Sequence, residues 1–336
     1  DLLDQMCPEL PREPLYFADG QILEEDYVFG SFTQSKMYMN DVRCNDCHNV
    51  HSGKLILDGN ALCLQCHRAD EYDTYNHHFH KQAGEEGSPV VSAFGDTYLV
   101  GDGASCINCH MPGRYYMGVD YRRDHSFRIP RPDLSDELGT PNACTYCHAD
   151  QGTQWAANKM TEWYGNSTRQ HFGSYLAGVL HDQENLDEKL ETIINDELFP
   201  PITRAVAISE IGERFPVESK KILTGKLHDP ESMIRYAVVR NFPITEEKDV
   251  NLLVPLLNDP VRAVRFEAAV ALSVIQNDQM TENDRKLLQK ILDEYEKSLM
   301  YSADFTASRL NLGNLYSNLG KTDKAIEQYK EAIFID

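Results

Sequence analysis

Residues 44–67 read Cys44-Asn-Asp-Cys47-His48-Asn-Val-His51-Ser-Gly-Lys-Leu-Ile-Leu-Asp-Gly-Asn-Ala-Leu-Cys63-Leu-Gln-Cys66-His67, which holds two copies of one unit, Cys-x-x-Cys-His. Two further copies stand at Cys106-Ile-Asn-Cys109-His110 and Cys144-Thr-Tyr-Cys147-His148, so eight of the nine cysteines fall in four identical units. Disulfide frameworks and zinc sites also use paired cysteines, but neither needs a histidine directly after the second one. Four repetitions of that histidine select covalent haem attachment. Each cysteine pair is expected to bond a porphyrin edge, with His48, His67, His110 and His148 as the proximal iron ligands. The cofactor expected is therefore four haem c groups. Haem c is attached outside the cytoplasm, which suits an oxidising compartment, periplasmic or extracellular at the cell surface. Cys7 is left over and reads as a partly buried thiol rather than an intermolecular disulfide.

The surroundings of these units agree with this reading. Residues 44–150 are rich in Gly, Asp, Asn and Pro and poor in periodic apolar stretches, so little regular secondary structure is expected there. Four macrocycles among the 105 residues from 44 to 148 would themselves serve as the hydrophobic core. Residues 1–43 carry Pro8, Pro11 and Pro14, then Tyr16, Phe17, Tyr27, Phe29, Phe32 and Tyr38 without clear periodicity. That composition suits a segment wrapping a haem.

The sixth position on each iron decides between electron transfer and chemistry on a bound substrate. Of the twelve histidines, eight lie outside the proximal positions. His51, His77, His78, His80 and His125 fall inside the haem region, enough for four distal ligands with one to spare. His51 follows His48 too closely to arch over its own haem, so it is expected to serve a neighbouring iron. The cluster 77–80 is expected to supply two ligands and His125 another. His171 is a reserve candidate, while His181 and His228 read as residues of helical turns. Met37, Met39, Met111 and Met117 read as packing rather than axial ligands. Arg114, Arg122, Arg123, Arg128 and Arg131 crowd around His125 and are expected to pair with haem propionates in preference to forming a docking patch. Tyr115, Tyr116 and Tyr121 are expected to cover haem edges.

After Asp150 the composition changes and helical periodicity takes over, beginning around Trp155, Met160 and Trp163. A self-match at a spacing of 30 residues aligns Asp229, Pro230 and Arg235 with Asp259, Pro260 and Arg265, with a looser copy through Pro200, Pro201 and Arg204. The aspartate can cap a helix, the proline fits a first turn and the arginine can tie adjacent repeats. This pattern resembles HEAT repeats stacked in a solenoid. Leu312, Gly313, Tyr316, Gly320, Ala325, Tyr329 and Ala332 resemble one tetratricopeptide repeat, which cannot bury its apolar face alone. The natural protein is therefore expected to continue, or the pair to dock on the preceding helices or another subunit. The fold class expected is mainly α, an irregular haem-packed cytochrome domain followed by an α-solenoid. Its parts are an N-terminal wrapping segment at 1–43, the tetrahaem domain at 44–150, HEAT-like repeats at 151–300 and a tetratricopeptide-like helix pair at 301–336.

Net charge is −21, with −13 in residues 1–150 and −8 in 151–336. Such a surface repels nucleic acid and anionic lipid and favours redox partner proteins, including other copies of the chain, in an oligomer or filament. No run of about eighteen apolar residues suggests a membrane span, and the N-terminus lacks the pattern of a secretory signal.

Several short stretches together carry a family resemblance. They are Gly30-Ser31-Phe32 with Gln34-Ser35-Lys36-Met37, Cys47-His48-Asn-Val-His51-Ser, Gly59-Asn60-Ala61-Leu62-Cys63, Cys109-His110-Met-Pro, Arg123-Asp-His125-Ser, Arg131-Pro-Asp-Leu and Gly139-Thr-Pro-Asn-Ala-Cys144. With these the chain resembles bacterial multihaem c-type cytochromes that carry HEAT and tetratricopeptide tails. The resemblance implies that the motif histidines, His51 and His125 are iron ligands. It departs from the many such proteins that have further units upstream. Related cytochromes that polymerise into conductive filaments ligate a haem with a histidine of the next subunit, which fits a tail specialised for protein contacts. The function expected is electron carriage or conduction in respiratory or extracellular electron transfer rather than enzymatic turnover. The rival is an oxidoreductase with one five-coordinate haem that reduces a small nitrogen or sulfur substrate.

Overall fold

Up to residue 131 the described chain has almost no apolar interior of its own. Among the described residues between Cys44 and Arg131, the buried hydrophobic ones are Ala104 and Tyr116. The computed structural model describes residues 2–5, 9–24, 28–92, 95–167, 169–180, 184–275 and 279–336. Cys7, Pro8, Tyr27 and His181 lie outside the described residues.

Regular structure in the first part is short because Gly, Pro and Asn interrupt it. Single helical turns occur at α1 (Val28–Phe32), α2 (Lys36–Met39), α3 (Ala61–Leu64), α4 (Ala69–Tyr72), α5 (Tyr75–His78) and α6 (Cys106–His110). Two antiparallel hairpins join them, β1 (Val90–Val91) with β2 (Thr97–Tyr98), and β3 (Gly113–Tyr116) with β4 (Asp120–Arg123). The second pairs Gly113 with Arg123 and Tyr116 with Asp120. Then follow α7 (Pro132–Leu138) and α8 (Ala143–Cys147). Pro132 opens α7 where no backbone donor is needed, and Gly139 at φ +71° closes it. The Asn142 side chain caps α8 by accepting from the Thr145 N–H at 3.1 Å, fixing the start of the fourth cysteine unit.

From residue 152 longer helices run to the end. They are α9 (Gly152–Tyr164), α10 (Phe172–Leu180), α11 (Leu186–Asn195), α12 (Pro201–Arg214), α13 (Pro216–Lys226), α14 (Ser232–Arg240), α15 (Glu247–Leu253), α16 (Arg262–Leu272), α17 (Glu282–Tyr301), α18 (Thr306–Asn318) and α19 (Thr322–Ile335). The chain is thus mainly helical. None of the described helices is long and apolar enough to cross a membrane.

The chain divides into two compact units, Glu9–Ala207 and Ile208–Asp336 with Asp1–Pro8. The first holds all four cysteine units and extends past the composition change at Asp150, because α9 packs on α7 and α8. Its N-terminal stretch contributes a small protein core of Tyr16, Ile22 and Tyr116. In the second unit α14 packs on α16, α16 on α17, α17 on α18 and α18 on α19.

The 30-residue self-match has a structural counterpart in the second unit. Asp229 and Asp259 each accept a backbone N–H two residues on, from Glu231 at 3.1 Å and Val261 at 2.8 Å. Arg235 donates to the carbonyls of Asp229 and Pro230, and Arg265 does the same to Asp259 and Pro260. Arg235 also grips the Asp259 carboxylate with two bonds of 2.7 and 3.0 Å, tying one copy to the next. In the α18–α19 pair a Cβ on Gly313 would lie 2.4 Å from the Tyr329 ring, so only glycine allows this approach. Leu299, Ala303, Leu312, Tyr316 and Ala325 fill the core beside it.

Candidate functional site

The eight cysteines of the four units, together with His48, His67, His110 and His148, line one cavity of about 2480 Å³ in the first unit. That is well above the roughly 300–1,000 Å³ of an ordinary small-molecule pocket. Its wall is mostly apolar, including Phe29, Phe32, Leu62, Ile107, Phe127, Trp155 and Trp163. Among the described residues no three Cys, His, Asp or Glu side chains converge as a closed metal-ion site requires.

Three proximal histidines face a second imidazole across the cavity. His48 and His125 have ring centres 6.4 Å apart and planes 27° from parallel. His110 and His77 are 6.2 Å apart at 15°, and His148 and His80 are 6.1 Å apart at 36°. A nitrogen–metal bond to imidazole is about 2.0–2.1 Å in the zinc case, and a five-membered ring of about 1.33 Å bonds places its centre about 1.1 Å from each atom. Two imidazoles on opposite sides of one metal atom therefore have centres about 6.3 Å apart. All three pairs match that spacing.

The tautomers agree. Nδ1 of His48 lies 2.9 Å from the Gly53 carbonyl oxygen, that of His110 2.6 Å from Arg128 O and that of His125 2.9 Å from Arg123 O. Nδ1 of His80 bonds the His78 carbonyl. A carbonyl can only accept, so each Nδ1 carries the proton and each Nε2 keeps its lone pair for a metal. Burial holds His77, His110, His125 and His148 below the ordinary imidazole value, in the neutral form a metal needs.

Helix α9 braces two of these pairs. Trp155 packs against His148 at 5.0 Å, and Trp163 lies face to face with Phe79 at 4.5 Å and edge-on to His80 at 6.4 Å. The Tyr164 hydroxyl donates to the His77 carbonyl. On the other side, Phe32 meets Phe127 at 6.1 Å, and Phe127 meets His125 at 6.0 Å. Sequence reading singled out neither tryptophan as part of the site. Their eight-residue spacing, which puts both near one face of a helix, was the available signal.

Other expected ligands stand elsewhere. His78 has both ring nitrogens engaged, Nδ1 accepting from the His80 N–H at 3.1 Å and Nε2 lying 3.2 Å from Gln82 Nε2. His51 is exposed and outside the cavity lining. His67 lines the cavity, yet its ring neighbour is Tyr72, edge-on at 5.6 Å, and Tyr72 in turn touches His77 at 5.3 Å. His171 also lines the cavity, but its Nδ1 accepts from the Gly173 N–H at 3.1 Å, and burial pushes its pKa down to about 4. Met37 and Met111 line the cavity, whereas Met39 and Met117 are exposed.

Two expectations need correction. Of the five clustered arginines only Arg123 and Arg131 line the cavity, and both already have protein partners. Arg123 donates to Ile107 O, Met111 O and Asn108 Oδ1, and Arg131 forks onto Asp133. Arg122 pairs with Asp120, and Arg128 with Asp19 O and Gln34. Nearby acids and carbonyls take the donors assigned to propionates. Likewise Tyr116 is buried in protein core, and Tyr115 packs on Tyr121 at 5.1 Å outside the cavity.

Residues 38–72 match the doubled CXXCH motif family. CXXCH units indicate covalent haem c binding, and the match supports a c-type multihaem cytochrome with a role in electron transport. Nothing among curated proteins matches the chain, and no solved structure does.

Proposed function

We propose that the chain is a tetrahaem c-type cytochrome that carries or conducts electrons through closely packed, mostly bis-histidine haems. The observation that carries this reading is the set of three imidazole pairs at 6.1–6.4 Å inside a cavity lined by all eight motif cysteines. Bound haem supplies one-electron chemistry at iron. The chain's part is to hold both imidazoles of each pair in place and aimed, so that an electron arrives and leaves with little rearrangement. His48 and His125 are assigned to one iron, His110 and His77 to a second, and His148 and His80 to a third. His67 is the proximal ligand of the fourth.

The region from 151 onward is assigned to HEAT-like repeats and, from 301, a tetratricopeptide-like pair, on the strength of the repeated Asp-Pro-Arg ties and the Gly313–Tyr329 contact. A solenoid offers an extended surface for redox partners or further copies of the chain. The acidic charge favours a soluble periplasmic or cell-surface setting. Because the cavity wall is mostly apolar and its motif histidines are largely paired, this reading needs no substrate pocket.

The test is the purified, haem-loaded chain. Pyridine haemochrome quantification against protein is expected to give four haems per chain. Near-infrared magnetic circular dichroism of the oxidised form is expected to be dominated by low-spin iron with two imidazole ligands. Fewer haems, or a spectrum dominated by methionine-ligated or high-spin iron, would sink the reading.

A further inference from the structure

The four motif histidines are not equivalent. His48, His110 and His148 each face a second imidazole, whereas among the described residues no histidine ring faces His67. The remaining described histidines of the same unit are accounted for. His51 is off the cavity, His78 has both ring nitrogens bonded, and the Nδ1 of His171 accepts from a backbone N–H, which puts the proton on Nε2. The anchoring differs as well: Nδ1 of His48 and His110 is held by a carbonyl and His148 is packed by Trp155, but the neighbour of His67 is the ring of Tyr72, itself 41% exposed. Finally, Cys66 through Tyr72 form an exposed run, while the other three motif histidines are partly covered. The side chains around His67 thus face solvent more than those around the other motif histidines.

We propose that the iron held by His67 is the chain's site for a small exogenous ligand of the π-acceptor class. Carbon monoxide is the probe for reduced iron and cyanide for oxidised iron. The ligand takes the axial position opposite His67, and binding is coordination alone, with no electron consumed. This rests on the tetrahaem reading above and adds a binding function to one of its four sites.

The experiment uses the full haem-loaded chain. Electron paramagnetic resonance of the oxidised protein is expected to show one high-spin and three low-spin irons, and the reduced protein is expected to bind one carbon monoxide per chain. Four low-spin irons with negligible carbon monoxide uptake overturn the proposal while leaving the tetrahaem reading standing. Two or more high-spin irons, or fewer than four haems, overturn both. Location is checked with Cys63→Ala/Cys66→Ala, expected to carry three low-spin haems and bind no carbon monoxide; retained uptake overturns the assignment to His67. Where that variant does not mature, Tyr72→Ala keeps every attachment unit and removes the ring beside His67. It is expected to change the carbon monoxide dissociation rate by roughly tenfold, and an unchanged rate places the ligand on another iron.

Discussion

His77, His78 and His80 share one short segment, and Phe79, at φ +54°, turns the backbone between them. The turn aims His77 at His110 and His80 at His148, while the His78 ring folds back into hydrogen bonds with its own segment. Replacing His77 with Ala is therefore expected to convert one further low-spin iron to high-spin, whereas His78→Ala leaves the spin states of the parent chain unchanged. Electron paramagnetic resonance of the two oxidised variants checks this, and an added high-spin signal in His78→Ala would refute the pairing. The proposed proximal ligands are the part read locally, because Cys-x-x-Cys-His keeps its histidine beside the cysteines that would hold the haem. Distal pairing was legible only as a surplus of histidines, since His125 stands 77 positions from His48 and nothing local links them. The arginines were less legible: electrostatics allows a propionate or a protein acid, and Arg122 and Arg131 bond the nearby Asp120 and Asp133. Gly313 offers a test at the same scale. Ala there must displace the Tyr329 ring, and overpacking of this kind costs about 1–3 kcal/mol, read as a lower urea midpoint for the second unit.

Among elements, the Asp-Pro-Arg turns of the second unit give the clearest case of sequence legibility. The repeat predicted a cap, a first-turn proline and a tie; the tie is present, but Asp229 and Asp259 bond the N–H of the N-cap residues Glu231 and Val261, and Pro230 and Pro260 stand before α14 and α16 rather than in their first turns. The sequence could not show that Arg235 reaches the carboxylate of the following copy while Arg265 bonds carbonyls. Arg235 is 11% exposed and Asp259 4%. Arg235→Ala leaves that carboxylate buried without its partner and is expected to cost about 3–5 kcal/mol. Arg265→Ala, which strands no carboxylate, is expected to cost distinctly less in the same chemical denaturation series. At the start of α15, Asp249 is fully buried and accepts from Lys220 Nζ at 2.7 Å and from the N–H groups of Thr245 and Glu246 at 2.9 Å each. Burial acts to raise its pKa, but these donors outweigh it and hold the carboxyl below the ordinary Asp value. The folded value lies below the unfolded one, so the stabilisation is complete above the unfolded pKa of about 3.9 and is lost as pH falls through the lower folded value. The urea midpoint of the second unit is expected to drop in that acid window, with a shallower drop in Asp249→Asn. Equal slopes would contradict the assignment. Helix α9 was the element least legible in its role: the change of composition at Asp150 marks where long helices begin, and only tertiary structure shows Trp155 and Trp163 turned onto His148 and His80.

At the scale of the whole molecule, apolar burial contrasts the second unit with the cysteine-bearing stretch of the first. The second unit has a conventional interior, with Leu223, Ile234, Val238, Leu253, Val264, Ala268 and Leu272 fully buried. Among the described residues from Cys44 to Arg131 the buried hydrophobic side chains are Ala104 and Tyr116, and the stretch surrounds the cavity instead. A chain that cannot bury apolar side chains cannot offset its conformational entropy, which runs to about 1–2 kcal/mol per ordered backbone residue. Haem binding supplies the missing interior, and ligation of each imidazole pair adds to folding stability as any ligand selective for the native state does. Protein produced without haem attachment is therefore expected to keep slow amide hydrogen exchange in α14, α16 and α17, while amides across residues 44–131 exchange at nearly unprotected rates. Mass spectrometry of the exchanged peptides resolves the two regions in one sample. Protection of 44–131 in the haem-free chain would show that this segment has a core independent of the cofactor, and loss of protection in α14–α17 would show that the second unit depends on haem as well.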